Sequence, residues 1–317
     1  MKISESAEIL NRMIDEIGTV IIGKRKTIEL ALYGVLARGH ILFEDYPGLA
    51  KTMLARMISR VLGCSFKRIQ FTPDLLPSDI TGSYIFDQKR QEFVLKKGAI
   101  FTNILLCDEI NRAPPKTQSA LLEAMQERTI TLDVETMQLP DPFVVFATQN
   151  PIEYEGTYPL PEAQVDRFIM RLRVGYPSRE DEIQILRGRK ERKRDEFDVE
   201  PIVNPEELIA MQRSIEDVYV SDPILQYITD LVRNTRSHPQ VEVGSSPRGT
   251  LALMKLSMAR ALHCNRDYVL PDDVKCVAVP ALAHRIILKP EPWIQGVKTE
   301  SVIENIISKT PVPKAEK

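Results

Sequence analysis

The spacing of apolar residues predicts a chain that begins with helices and continues with alternating strands and helices. Apolar residues recur at helical spacing over residues 1–18 and 24–38, which predicts two amphipathic helices. From residue 41 onward, short apolar runs alternate with helical periodicity. Such runs predict buried strands at 41–43, 67–71, 104–108 and 143–148, with helices at 51–62, 116–127 and 162–169. This alternation predicts an α/β fold, in which helices cover both faces of a parallel sheet.

Two stretches interrupt the alternation. Residues 83–99 contain two short β-like runs around a charged turn, and residues 129–139 alternate between apolar and polar side chains. A period of two is typical of strands that expose one face. Both stretches are therefore predicted to be β-hairpins inserted between elements of the sheet.

Near residue 175 the pattern becomes helical. Segments punctuated by proline and glycine predict helices near 178–193, 205–216, 221–237, 247–263 and 271–287. We therefore expect an α/β domain over residues 1–175 and an all-α domain over residues 176–308. Residues 309–317 carry two prolines and no apolar face, which predicts a flexible tail.

A turn between the first predicted strand and the next helix carries phosphate-binding residue types. Lys51 and Thr52 stand where a phosphate loop needs a lysine for the β- and γ-phosphates and a hydroxyl for Mg²⁺. The usual pattern, G-x-x-x-x-G-K-[ST], has glycine where this chain has Asp45 and Ala50. Taken alone, the turn has an alternative interpretation as an ordinary strand–turn–helix connection with a surface lysine.

Acidic and amide side chains follow two later strands. Asp108 and Glu109 end one apolar run, and Asn150 comes just after the next one. Asp108 is predicted to hold Mg²⁺, Glu109 to polarise an attacking water, and Asn150 to bind that water or the γ-phosphate. The alternatives are a solvated strand end for the acidic pair and a turn-forming asparagine before proline.

Two arginines have sequence contexts that suit an anionic partner. Arg167 lies on a short predicted helix after a proline-containing loop, from which it could reach the γ-phosphate of a neighbouring subunit. Arg248 falls in the first turn of a helix that Ser246 and Pro247 begin, where the helix dipole disfavours a cation. The alternatives are a local ion pair for Arg167 and a surface position for Arg248.

Composition narrows the functional classes. The chain has 317 residues, of which 43% are apolar and 6% aromatic, and its formal net charge is −2. These values exclude wholesale disorder and disfavour a basic nucleic-acid-binding protein or an aromatic stacking platform. The cysteines and histidines show no metal-ligand spacing, which disfavours a zinc enzyme. Without a long apolar run or signal-peptide features, we expect a cytoplasmic protein with no membrane span.

Together, these motifs resemble those of the MoxR family of AAA+ ATPases. The resemblance rests on GHILFEDYPGLAKT, ILLCDEINRAPPKTQSALLEAMQE, FVVFATQNPIEYEGTYPLPEAQVDRF and SSPRG, and it covers roughly residues 5–290. It implies an AAA+ core with inserted hairpins, an all-α lid, and ATP and Mg²⁺ as cofactors. The family also accommodates a residue other than glycine at the first loop position and alanine at the second.

The resemblance implies a role for each candidate residue. The Walker A loop would consist of Asp45, Tyr46, Pro47, Gly48, Leu49, Ala50, Lys51 and Thr52, the last as a metal ligand. The other implied roles are Walker B for Asp108 and Glu109, sensor 1 for Asn150, arginine finger for Arg167 and sensor 2 for Arg248. Ile21, Ile22 and Gly23 would lie beside the adenine, and Arg112 is a second candidate for the finger.

The resemblance also implies partners. MoxR proteins are described as chaperone-like ATPases that form hexameric rings, act on client proteins and often work with proteins bearing a von Willebrand factor A domain. A nucleic-acid-dependent motor is one alternative, because the related MCM helicases share the inserts and residues 187–194 are basic, although a solvated helix face is favoured there. A nucleotide-gated scaffold with little hydrolysis is another, because Asp45 and Ala50 depart from the usual loop.

Overall fold

The structure is a computed structural model that describes residues 1–132, 135–151 and 156–313. The helices are α1 (Ile3–Val20), α2 (Arg25–Leu36), α3 (Lys51–Val61), α4 (Pro77–Thr81), α5 (Pro115–Glu127), α6 (Glu162–Val165), α7 (Arg179–Arg192), α8 (Pro205–Ser214), α9 (Asp222–Ser237), α10 (Pro247–His263), α11 (Pro271–Leu282), α12 (Pro290–Ile294) and α13 (Thr299–Lys309). The strands are β1 (Ile41–Glu44), β2 (Phe66–Gln70), β3 (Gly82–Asp87), β4 (Glu92–Lys97), β5 (Ile104–Asp108), β6 (Thr129–Leu132), β7 (Glu135–Gln138), β8 (Val144–Gln149), β9 (Met170–Leu172), β10 (Val241–Val243) and β11 (Ile287–Leu288).

A parallel sheet forms the centre of the first half of the chain. Within the described residues its strands lie in the order β2-β5-β8-β1-β9, and every neighbouring pair is parallel. The inner strand β5, between β2 and β8, is buried along its whole length, because the sheet packs apolar side chains on both faces. The shared direction brings the carboxyl ends of β1, β5 and β8 to one edge of the sheet, as the sequence predicts.

The sequence prediction is wrong for several short segments. Residues 162–169 are not one helix, because α6 ends at Val165 and residues 170–172 form β9 beside β1. The strands β10 and β11 pair in the half where only helices are predicted. The helix predicted to end at residue 287 ends at Leu282 and gives way to a 3-10 turn. These segments are too short to display a period of their own.

The chain stays packed at the start of its predicted flexible tail. Helix α13 ends at Lys309, and Thr310 is buried against α9. The Asn234 amide donates to the Thr310 hydroxyl at 3.0 Å. Residues 314–317 of the predicted tail lie outside the described residues.

Both inserted hairpins occur where the sequence predicts them. β3 pairs with β4, and β6 pairs with β7, whose connecting residues 133–134 lie outside the described part of the chain. The rings of Phe86 and Phe93 pack edge to face across the first hairpin with centroids 5.4 Å apart, and both side chains are more than half exposed. The Tyr84 hydroxyl donates to Glu135 Oε2 at 2.7 Å and so joins the two hairpins.

The apolar core continues from the sheet into the helical half. One cluster of buried side chains includes Ile14 of α1, Ile41 of β1 and Leu253 of α10. Helix α10 packs directly on α1 and α2, so the two halves share one interior. A second cluster lies between the other face of the sheet and α5, and it includes Leu105 and Val145. In the described part of the chain we find no helix with the length and apolar character that crossing a bilayer requires.

Candidate functional site

The turn between β1 and α3 has the backbone of a phosphate loop. Gly48 and Ala50 adopt left-handed conformations with φ of 81° and 56°. Helix α3 begins at Lys51, immediately after Ala50, so the unpaired N–H groups of its first turn adjoin the loop. A left-handed conformation costs an L-residue about 1–2 kcal/mol, a strain that glycine would avoid at position 50.

A cavity of about 450 Å³, which we call the phosphate-loop cavity, opens in front of this turn. The predicted site residues that line it are Pro47, Gly48, Leu49, Ala50, Lys51, Thr52, Asp108, Glu109 and Asn150. Lys51 Nζ donates to the carbonyl oxygens of Asp45 at 2.5 Å and Tyr46 at 2.9 Å. Those two residues therefore lie behind the lysine and are not part of the cavity wall.

Asp108 lies at the carboxyl end of β5, where its carboxylate collects three donors. Oδ2 accepts from the Thr52 hydroxyl at 3.2 Å and from Arg68 Nε at 2.9 Å, and Oδ1 accepts from the Thr148 hydroxyl at 2.6 Å. The Thr52 hydroxyl and the Asp108 carboxylate are the hard oxygen ligands that Mg²⁺ prefers. Their adjacency fits a magnesium ion that would take over the position of the Arg68 charge.

Glu109 follows in a left-handed conformation, with φ of 56°. Its N–H donates to the Thr148 hydroxyl at 2.8 Å, which fixes the backbone beside β8. Its carboxylate accepts from Gln70 Nε2 at 2.6 Å and pairs with Arg112 at 3.3 Å. Asn150, just past β8, is buried and lines the same cavity. The acidic pair and Asn150 therefore meet at one edge of the sheet.

Sequence reasoning missed Arg68 and Gln70, which hold the two acidic side chains. Both lie on β2, two positions apart, so they share one face of the strand. Arg68 also donates to Gln70 Oε1 at 3.0 Å. The sequence does show polar residues at alternate positions of this strand. Their partners could not be predicted from it, because they depend on the order of strands in the sheet.

Asp45 binds backbone on the opposite side from the cavity. Its carboxylate is buried and accepts from the N–H groups of Tyr46 at 2.9 Å, Val174 at 2.8 Å and Gly175 at 2.6 Å. Asp45 does not have a positive φ, so its backbone does not require the glycine of the usual pattern. The carboxylate instead joins the loop to the segment that follows β9.

An apolar cavity of about 770 Å³ adjoins the phosphate-loop cavity, and Gly48, Leu49, Ala50 and Met53 line both. Ile21 and Ile22 form part of its wall on one side, and residues of α7 face them. Gly23 adopts a φ of 73°, and a side chain there would overlap the carboxyl group of Asp181. The predicted adenine segment thus lies at this cavity, with Gly23 allowing α7 to approach closely.

The structure does not bring Arg167 and Arg248 to the phosphate-loop cavity. Both line a separate cavity of about 230 Å³, the arginine cavity, at the junction of α5 and α10. Arg167 Nη1 donates to the Leu122 carbonyl at 2.7 Å, and its buried Nε has no hydrogen-bond partner among the described residues. Arg248 Nη2 donates to Gln126 Oε1 at 3.2 Å.

Asp166 partly balances the charge of the arginine cavity. Its carboxylate pairs with the buried Arg285 and lies 3.6 Å from Arg248 Nη1. The Ser246 hydroxyl, which caps α10 as the sequence predicts, also donates to Asp166 at 3.0 Å. Arg171, a neighbour of Arg167 in the sequence, pairs instead with Glu44 at 3.0 Å and with Glu300.

His40 forms part of the wall of the arginine cavity as a neutral group. Its Nε2 lies 2.9 Å from the Met125 carbonyl, and its Nδ1 accepts from the Val145 N–H at 3.0 Å. Burial, the largest cause, and the charge of Arg128 together lower the pKa of His40 to about 4, although the hydrogen bond with the Met125 carbonyl partly opposes the shift. Protonation of this side chain is therefore opposed by the fold.

Known proteins match the chain over most of its length. The profile of the ATPase family associated with various cellular activities (AAA) matches residues 40–170, and that of the AAA lid domain matches residues 233–306. The chain is 50% identical to the protein YeaC of Bacillus subtilis, over 96% of this chain and 95% of that protein. It is 41% identical to Chaperone MoxR1 of Mycobacterium tuberculosis, over 96% and 82% of the two chains.

A more distant relative and a solved structure also match most of the chain. Protein MoxR of Paracoccus denitrificans is 30% identical over 93% of this chain and 94% of its own. A crystal structure of a candidate ATPase from Cytophaga hutchinsonii superposes with a TM-score of 0.92 at 41% identity, covering 98% of this chain and 97% of the other. The α/β core with its parallel sheet and the helical lid confirm the predicted fold class. The chain belongs to the MoxR family of AAA+ ATPases.

Proposed function

We propose that the protein binds Mg²⁺-ATP in the phosphate-loop cavity, hydrolyses it, and couples hydrolysis to chaperone-like remodelling of partner proteins. The observation that carries this proposal is the convergence of Lys51, Thr52, Asp108 and Glu109 on one cavity at the carboxyl edge of the sheet. A lysine, a hydroxyl and two carboxylates are the groups that phosphoanhydride hydrolysis needs at that position.

The two adjoining cavities suit the two ends of one nucleotide. The phosphates would lie on the loop and on the N-terminus of α3, and Lys51 would exchange the carbonyls of Asp45 and Tyr46 for phosphate oxygens. The base would lie in the apolar cavity beside Ile21 and Ile22. Mg²⁺ held by Thr52 and Asp108 would neutralise charge that develops on the phosphates.

Glu109 is positioned to orient and polarise the attacking water. Its carboxylate lines the cavity, and Gln70 and Arg112 hold it in place in this structure. Asn150 lines the same cavity, where it would bind the water or a γ-phosphate oxygen. Turnover requires Glu109 to weaken its contacts with Gln70 and Arg112, since a fully paired carboxylate is a poor proton acceptor.

The position of the arginines favours assembly into a ring, which we propose is hexameric. Arg167 and Arg248 line a cavity of their own, away from the phosphate loop of the same chain, which suits a role at the γ-phosphate of a neighbouring subunit. A planar, permanently charged guanidinium suits the charge of the transferring phosphoryl group. We propose Arg167 as the finger, because Arg112 pairs with Glu109 of its own chain.

The client would be a protein, and the hairpins are the elements best suited to contact it. Phe86 and Phe93 expose a joined aromatic surface on the first hairpin, and the Tyr84–Glu135 hydrogen bond ties that hairpin to the second. A relative named Chaperone MoxR1 supports a chaperone-like role. A partner with a von Willebrand factor A domain and a cytoplasmic location belong to the same proposal.

Local pairing in the basic stretch at 187–194 argues against a nucleic-acid motor. Arg189 pairs with Asp195 at 2.5 Å, and Arg194 pairs with Asp198. The guanidinium of Arg192 stacks on the Phe197 ring at 3.7 Å from its centroid. These contacts occupy cations that phosphate binding would otherwise use.

A Glu109→Gln substitution tests the proposal. The amide keeps the size of the side chain but cannot accept the proton, so we expect turnover to fall about 10²- to 10⁴-fold. Binding of a non-hydrolysable ATP mimic with Mg²⁺, measured by calorimetry, should remain close to that of the wild type. Glu123→Gln, on the exposed face of α5, is the matched control and should change neither quantity. Unchanged turnover in Glu109→Gln would remove Glu109 from this role.

A further inference from the structure

Asp45 stands where the usual phosphate loop has glycine, and it connects the loop to the segment between β9 and α7. We call residues 173–178 the linker. The buried Asp45 carboxylate accepts the N–H groups of Val174 at 2.8 Å and Gly175 at 2.6 Å through one oxygen, Oδ2. The loop and the linker are 129 residues apart in the sequence at Val174, so this contact belongs to the tertiary fold.

Further contacts hold the linker at the same place. The rings of Tyr46 and Tyr176 lie 6.2 Å apart, and Lys24 Nζ donates to the Tyr176 carbonyl at 2.7 Å. Gly175 adopts a φ of 68°, a conformation that lets the chain turn sharply at this point. The path of the linker is therefore set by the first two residues of the loop together with Lys24.

The linker leads directly into α7, and that helix depends on it for its position. None of the residues of α7, all of which the structure describes, is buried. The helix nevertheless forms one wall of the apolar cavity, with Ile185 among the lining side chains. A helix with no buried side chain is held mainly at its ends, so a shift of the linker moves this wall of the cavity.

The main-chain carbonyl of Asp45 contacts the lysine that would bind phosphate. Lys51 Nζ donates to the Asp45 carbonyl at 2.5 Å, and a lysine drawn to the β- and γ-phosphates must release that carbonyl. One residue thus carries the lysine contact on its main chain and the linker contact on its side chain. A negative charge behind an anion site opposes the binding of an anionic ligand. The Asp45 carboxylate is nevertheless buried and accepts three backbone N–H groups, which indicates a structural role for it at this position.

We propose that Asp45 is a positioning residue that couples phosphate occupancy at Lys51 to the placement of α7. This rests on the proposed function, because it needs ATP in the phosphate-loop cavity. The coupling makes the wall of the apolar cavity respond to how fully phosphates engage Lys51, which ATP would contact through its β- and γ-phosphates and ADP through its β-phosphate alone. Asp45 does not line the phosphate-loop cavity, so the proposal gives it no contact with the nucleotide or the reacting atoms.

Two variants separate coupling from packing. Asp45→Gly restores the usual loop residue, and Asp45→Asn keeps the side-chain size but removes one acceptor oxygen. We expect both to bind the ATP mimic within about threefold of the wild-type Kd. We expect kcat to fall about ten- to hundredfold with KM little changed, since the loss is one of positioning. Asp141→Asn, at an exposed ion pair with Arg38, is the matched control and should leave both constants unchanged.

Hydrogen–deuterium exchange of the peptide spanning α7 supplies a readout that packing alone would not move. In the wild type, exchange in α7 should differ between the Mg²⁺-ATP-mimic complex and the Mg²⁺-ADP complex. In Asp45→Gly and Asp45→Asn the two complexes should give the same exchange, although calorimetry shows both nucleotides bound. Loss of stability alone would change both complexes together.

Distinct outcomes would overturn the two proposals. A wild-type protein that does not bind the ATP mimic overturns the proposed function, and the coupling falls with it. A wild-type protein that binds both nucleotides with identical α7 exchange overturns only the coupling, whatever the variants do. Wild-type kcat and a preserved ATP–ADP difference in Asp45→Gly would also overturn the coupling.

Discussion

The phosphate-loop cavity combines the carboxylates of Asp108 and Glu109 with Lys51, whereas the arginine cavity sets Arg167, Arg248 and Arg285 around the carboxylate of Asp166. In the first cavity, Arg68 and Gln70 hold Asp108 and Glu109. In the second, Asp166 pairs with arginines of the lid. Each cavity thus balances its own charge with protein groups that a ligand would have to replace.

If the protein hydrolyses ATP as proposed, this difference would leave one chain without a complete set of catalytic groups. The phosphate-loop cavity contains the residues proposed to bind the phosphates, the metal and the water, but Arg167 and Arg248, proposed to act on the transferring phosphoryl group, line the other cavity. A second subunit that presents its arginine cavity to the first would join both sets of groups. We therefore expect the two cavities to work together only across a subunit interface.

Mixing two inactive variants gives the strongest test of whether the two cavities act across a subunit interface. Arg167→Ala and Lys51→Ala should each lower turnover about 10³-fold, because the first lacks the cation and the second the phosphate ligand. In a one-to-one mixture, an intact loop from Arg167→Ala can meet an intact arginine from Lys51→Ala. Random assembly should restore about a quarter of wild-type turnover, measured by phosphate release.

The exposed Arg179 provides the control for that mixture. Arg179→Ala should be as active as the wild type, alone and in mixtures, because its guanidinium is 82% exposed. If the mixture of Arg167→Ala and Lys51→Ala stays as inactive as its components, Arg167 does not act across an interface.

Acid should affect the wall of the arginine cavity through His40. The pKa of this side chain falls from 6.5 in the unfolded chain to about 4 in the folded one, so the unfolded state binds more protons between these values. The contribution of His40 to the free energy of unfolding is therefore fully present above pH 6.5. It is lost as the pH falls toward 4, by about 3 kcal/mol in total. Denaturant unfolding at several pH values measures the slope.

A His40→Asn variant isolates that contribution. It cannot titrate in this range, so its free energy of unfolding should depend less steeply on pH than that of the wild type. The buried His284, whose pKa burial also lowers, keeps its part of the slope in both proteins. Equal slopes for the two proteins would show that His40 does not contribute.

The smallest expected effect concerns the strain in the phosphate loop. Ala50→Gly removes the strain of a left-handed alanine but raises the conformational entropy of the unfolded chain. Because the first effect is the larger, we expect the free energy of unfolding to rise by about 0.5–1 kcal/mol. Thermal or urea unfolding measures the change. Ala120→Gly in the helical interior of α5 is the control and should lower the free energy of unfolding by about 1 kcal/mol. A destabilised Ala50→Gly protein would mean that the methyl group packs usefully in the loop.

Much of this comparison could be predicted from the sequence, and the rest could not for physical reasons. Buried strands and the phosphate turn leave strong local patterns, so the residues at the carboxyl edge of the sheet were predicted together. β9 consists of three residues and β11 of two, and neither is long enough to show alternation.

Partners that come from distant parts of the chain were beyond the local pattern. Gln70 binds Glu109 because β2 lies beside β5, and Asp45 binds Val174 because the linker returns past the loop. The sequence marked Asp45 as unusual, but only the fold shows what its carboxylate contacts. The position of Arg167 likewise depends on a tertiary contact, the hydrogen bond that its guanidinium donates to the Leu122 carbonyl of α5.

The apolar interior that α1 and α10 share determines how the protein unfolds. Because Ile14 and Leu253 belong to one apolar cluster, heat should melt the sheet half and the lid half in a single cooperative transition. A fragment cut near residue 175 would expose the inner face of α1 to water and invite aggregation. We therefore expect motion during the proposed nucleotide cycle to concentrate in elements outside that cluster, with α7 the foremost among them, since none of its residues is buried.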